Sequence, residues 1–168
     1  MSLGLLDQCL SEFDREIGVT RRVLARVPDD RLSWGPHPRS MTLGRLATHV
    51  ASLPGWLPQI LNEARFDLAA LPPSSLVDES VAAILARFEA GVANARHALC
   101  ESNDARLAET WTLCKDGDVV ITLPRIVALR TEGLYHLTHH RGQLTVYLRL
   151  LDIPVPPIYG PTADEGRL

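Results

Sequence analysis

From Leu3 to Val27 apolar residues return mostly every three or four positions, at Leu3, Leu6, Leu10, Phe13, Ile17, Leu24 and Val27. That spacing lines one face of a helix, so an amphipathic helix is predicted there. Pro28, Asp29 and Asp30 end it, and a loop rich in Pro, Gly and Ser, RLSWGPHPRS, follows. Ser40 is the expected N-cap of a second helix that carries Leu43, Leu46, Ala47, Val50 and Leu53. Pro54 and Pro58 remove backbone donors and force a kink, or a break and restart, before that helix reaches about Asn62.

The pattern lapses over residues 66–75, where no element is expected and LPPSS marks a surface connection. Val77 to about Glu101 restores a helical stripe through Val81, Ile84, Leu85, Phe88, Val92, Ala95 and Leu99. The segment TWTLCKDGDVVITL instead alternates apolar and polar residues around Asp116-Gly117, which predicts a two-stranded hairpin. Pro124 suits the first turn of a last helix that runs through RIVALRTEGLYHLTHHRGQLTVYLRLLD and stops before Pro154, Pro156 and Pro157. Four helices so connected give an all-α fold, a four-helix bundle with a small β-hairpin before its last helix. No repeat or second-domain signal interrupts residues 1–168, so a single domain is expected.

Composition narrows the classes. With 46% hydrophobic and 22% charged residues the chain is an ordinary folded domain rather than a disordered one. A net charge of −3 leaves no basic footprint for nucleic acid. No apolar run approaches the roughly 20 residues that span a bilayer, and MSLGLLDQCLSEFDREIG takes on acids too early for a signal peptide. Cys9, Cys100 and Cys114 are odd in number and widely spaced, which suits buried or partly buried free thiols in a reducing compartment. A cytoplasmic protein with no nucleic-acid and no membrane partner is expected.

The chemistry sits in the histidines. His136 and His140 are four residues apart on one helix, so their side chains lie about 40° apart around the axis and roughly 6 Å along it. Two imidazoles at that spacing converge on one ion. His49 lies mid-helix among Leu46, Val50 and Leu53, on a face expected to meet the bundle core. Three neutral imidazoles with an open position make a site for zinc, nickel or a similar divalent ion. Glu132 precedes His136 by one turn and Gln143 follows His140 by three residues, so either can orient a ligating imidazole or a bound molecule. His139 can ligate only by displacing one of the pair, and His37 and His97 are assigned to structure or surface.

The segment HLTHHRGQLTVYLRLLDIPVPPIYGPTADE resembles the C-terminal signature of the DinB-like, or YfiT-like, four-helix metalloproteins. LSWGPHPRSMTLGRLATHV is similar to the family's Trp-Pro loop and the helix that carries its first metal histidine. The family shares only its name with a DNA-repair polymerase. The resemblance implies an up-down-down-up bundle, a metal site at His49, His136 and His140 with zinc or nickel as the family's usual ion, and a homodimer. It also implies kinship with S-transferases that use bacillithiol, mycothiol or glutathione.

A metal-dependent enzyme in which the ion lowers the pKa of a low-molecular-weight thiol is therefore the first functional expectation. Arg141 would then contact an acidic group of the thiol, its plain alternative being a surface or dimer-interface salt bridge. Hydrolysis at the same ligands is the second expectation, and a non-catalytic metal-binding stress protein the third. Val146, Tyr147, Leu150 and Leu151 are apolar enough to serve a dimer interface or to fill the monomer core.

Overall fold

Helix α1 (Leu5–Leu24) buries Phe13, Ile17 and Leu24 of its predicted stripe, with Leu6 and Leu10 half-buried, and also buries Cys9 and Val23. Its cap position is Gly4, which has no side chain to offer. The orphan amides of Leu5 and Leu6 donate instead to the Asp104 carboxylate at 3.1 and 2.9 Å, tying the start of α1 to a distant segment. This computed structural model describes residues 4–71 and 77–166; Leu3 and all of LPPSS except Leu71 lie outside them.

Helix α2 (Leu43–Ser52) begins two residues later than Ser40 would place it. The Ser40 amide is spent in a turn on the His37 carbonyl, and Thr42 is the cap, its hydroxyl accepting from the Arg45 amide at 3.3 Å. Leu43, Leu46, Ala47, Val50 and Leu53 are all buried. The prolines break the helix as expected: a 3-10 turn (Leu53–Gly55) intervenes and α3 (Trp56–Asn62) restarts.

Strand β1 (Arg65–Asp67) and a 3-10 turn (Leu68–Ala70) occupy a stretch where no element was expected. The hairpin partner explains them. Strands β2 (Thr110–Lys115) and β3 (Asp118–Pro124) pair antiparallel, and β1 adds to β2 in parallel, Phe66 opposite Leu113. The Asp67 carboxylate accepts the amides of Asp116 and Gly117 at 3.0 and 2.7 Å. Those turn residues have φ of 51° and 88°, the left-handed pair that a tight hairpin needs. The expected two-stranded hairpin is thus the larger part of a three-stranded sheet in the order β1-β2-β3, and the fold is mostly helical rather than all-α.

Helix α4 (Val81–Cys100) starts after Val77, because the Ser80 hydroxyl accepts from the Ala83 amide and Asp29 takes the Val81 amide. It packs against α1, α2 and α3. A short α5 (Asp104–Ala108), which the hydrophobic pattern does not announce, leads into β2. The last helix is one rod in three parts: α6 (Arg125–Ala128), a π-helical stretch (Leu129–Tyr135) and α7 (His136–Leu150). Pro124 is the residue before its first turn rather than within it. Along α7, Tyr147 packs on the core together with Leu151, while Val146 and Leu150 stay 56% and 57% exposed. No helix among the described residues is long and apolar enough to cross a membrane.

Candidate metal centre

His49 projects from the last turn of α2, and His136 and His140 from the first turns of α7, two elements that pack directly on each other. The three rings meet with centroids 4.5 to 5.1 Å apart. Their ligand nitrogens all lie within 4.8 Å of one another, and the group can hold a metal ion. His49 Nε2 and His136 Nε2 are 3.3 Å apart. Two nitrogens each about 2.05 Å from a tetrahedral ion such as zinc would stand roughly 3.3 Å apart, the separation of this pair. Among the described residues no carboxylate or thiol joins the group.

Electrostatics favours neutral rings. Burial, then the neighbouring His140 and His136, pushes His49 down to about 4. Burial and His140 also lower His136, opposed by a hydrogen bond to the Glu132 carbonyl and by the Glu132 charge. Burial lowers His140 as well, against its bond to Gln143. Three neutral imidazoles, each keeping one N–H proton, offer three lone pairs.

Two ring orientations are set from outside the triad. His140 Nδ1 lies 2.7 Å from Gln143 Oε1, and since an amide oxygen only accepts, Nδ1 carries the proton and Nε2 is free. With His136 Nε2 turned to His49, its Nδ1 is the nitrogen left to donate to the Glu132 carbonyl. That carbonyl belongs to the π-helical stretch, and the His136 amide bonds to Gly133 instead. On its other side the triad meets the Trp56 ring, 6.3 Å from that of His136.

A pocket of about 570 Å³ opens beside His49, walled by Met41, Trp56, Phe66 and Leu71 and holding Arg45 and Arg87. Its size falls within the usual range for small-molecule sites. A profile of the DinB family matches residues 1–167 of the chain. The chain belongs to the DinB family. It is 26% identical over 166 residues to the uncharacterized protein YrdA of Bacillus subtilis, covering 95% of this chain and 91% of that one. A crystal structure of a DinB-like protein from Bacillus cereus superposes with a TM-score of 0.71 at 25% identity, covering 90% of this chain and 95% of the other. A second DinB-like protein, YjoA of Bacillus subtilis, shares the fold at a TM-score of 0.70 and 17% identity, with 90% and 97% covered.

In this DinB-family chain the remaining expectations sort cleanly. Arg141 does not lie on the surface: it is 1% exposed, 2.7 Å from Glu16 and bonded to Thr20 and the Tyr159 hydroxyl. Glu132 acts on His136 through its backbone carbonyl as well as through its charge. His139 is exposed, its ring 4.8 Å from that of His140, and His97 is exposed too. His37 accepts from the Arg39 amide in its loop. Cys9 and Cys114 are buried thiols, with burial and then Glu12 pushing Cys9 up to about 11, but Cys100 is exposed. Arg45, Trp56 and Phe66 were missed. Each looks like an ordinary helix or loop residue until the folded chain brings α2, α3 and β1 around one cavity.

Proposed function

We propose that His49, His136 and His140 hold one divalent transition metal, zinc or nickel, and that the protein is a metal-dependent enzyme acting on a low-molecular-weight thiol. The observation that carries the reading is the convergence of three half-buried imidazoles, each held below its usual pKa, with a 3.3 Å nitrogen pair, and with His49 on the wall of a ligand-sized pocket. An ion there supplies Lewis-acid activation of a thiol or of water. Gln143 and the Glu132 carbonyl fix which ring nitrogens face it, and burial keeps protons from competing for them. Trp56 and Phe66 form an apolar wall that limits water beside His49. An ion whose role was only to hold helices together would need no such cavity, which favours an enzyme over a stress protein.

The same reading takes the long helices α1, α2 with α3, α4, and α6 with α7 as the four rods of an up-down-down-up bundle. It places the protein in the cytoplasm, where its three free cysteines stay reduced. It also makes exposed Val146 and Leu150, one turn apart on α7, part of a homodimer contact. Titration of metal-loaded protein with bacillithiol, mycothiol and glutathione tests the thiol. A saturable response to one of them is expected. Metal without any thiol response moves the function to hydrolysis or to a binding role.

A further inference from the structure

Arg45 precedes His49 by one turn of α2, so the two side chains leave the same helix face and both line the pocket. The other guanidinium there, Arg87, is taken up by both carboxylate oxygens of Asp78 at 2.7 Å each. Among exposed arginines elsewhere, Arg21 is matched by Glu89 and Arg149 by Asp164. Among the described residues the Arg45 side chain has no carboxylate or carbonyl partner, and its charge acts on His49. A half-buried guanidinium with no fixed counter-ion keeps its donors for water, and an anion arriving from solution can take them in a charge-assisted contact.

The anion's type follows from what else the site offers. The first amides of α2 are already spent: Leu43 donates to Trp34, Gly44 to Leu32 and Arg45 to the Thr42 hydroxyl. One free guanidinium with no amide cradle suits a singly charged carboxylate, whereas a phosphate would leave charge and acceptor oxygens unmet. Apolar and aromatic surface shares the lining, with the Trp56 and Phe66 rings 5.7 Å apart and at 61° to each other.

We propose that this pocket binds a small organic acid with an aromatic or apolar body, its carboxylate on Arg45, its body against Trp56 and Phe66, and its far end toward His49. As a substrate assignment it rests on the metal reading above; as a binding site it stands on the pocket alone.

Calorimetric titration of chelator-treated and metal-loaded protein with phenylacetate, phenylacetamide and benzylphosphonate tests it. Phenylacetate is expected to bind about tenfold more tightly than the amide in both forms, the scale of one charge-assisted contact. Arg45→Gln erases that preference and Arg45→Lys keeps a good part of it. Loss of the preference in metal-free protein, or its survival in Arg45→Gln, means the carboxylate sits on the metal and overturns the proposal. Tighter binding of the phosphonate overturns the choice of carboxylate. If no metal binds yet the preference persists, the metal reading fails and the acid site stands.

Discussion

Gln143 shows how a neighbour can set the direction of a histidine. Its Oε1, 2.7 Å from His140 Nδ1, accepts that nitrogen's proton in a hydrogen bond, which leaves Nε2 for the centre of the triad. Gln143→Leu is expected to weaken metal affinity by about tenfold while leaving stoichiometry unchanged, the scale found for partners that orient ligating imidazoles. Competition against a chelating dye measures it, and an unaltered affinity would remove Gln143 from the site. This residue was legible because it lies within one turn of His140, as His136 does. Arg141 was not. A charged position on a helix reads as surface, and only the fold brings Glu16 and Thr20 from α1 against it. Arg45 was missed for the opposite reason, since nothing in the sequence tells which arginine the fold leaves unpaired.

Secondary structure was readable where it is set locally. The stripes of α1 and α4 and the Asp116-Gly117 turn are such cases. Strand β1 is too short to announce itself and depends on the hairpin turn that Asp67 grips. The amides of Ala69 and Gly117 hold that carboxylate below the usual range, so its stabilisation is full above the ordinary carboxylate pKa and is lost only as pH falls through the lowered value. In an NMR titration the Asp116 and Gly117 amide shifts should hold through the ordinary carboxylate range and move together below it. Asp67→Asn should abolish the movement, and a midpoint at the ordinary value would contradict the contact.

The π-helical stretch is another element that local pattern did not reveal. Gly133 within it lets the last helix approach α3, because a Cβ there would meet buried Leu57 Cδ1 at 2.9 Å. Gly133→Ala is expected to destabilise the protein by about 1–3 kcal/mol in urea unfolding, the usual cost of overpacking. Leu57→Ala in the same chain should recover part of that loss, a coupling expected of touching residues. Simple additivity of the two changes would show that the close approach carries no strain.

Across the whole molecule, Arg141 joins α1, α7 and the C-terminal segment through Glu16, Thr20 and Tyr159. Arg141→Met leaves the Glu16 carboxylate with only the Tyr159 hydroxyl and should cost about 3 kcal/mol of stability, as breaking a buried pair does. Metal content should be unchanged, although His140 is its neighbour in sequence. The sequence displayed the three histidines but not the cavity beside them, which exists only when α2, α3 and β1 come together.

Metal content per chain, measured by elemental analysis on protein prepared without a histidine tag, bears most directly on the triad. Wild type should carry about one zinc or nickel per chain, and His140→Ala almost none, with far-UV circular dichroism the same for both. Stoichiometric metal in His140→Ala would contradict the assignment of the ligands. A wild-type protein that stayed empty after reconstitution would contradict the metal centre itself.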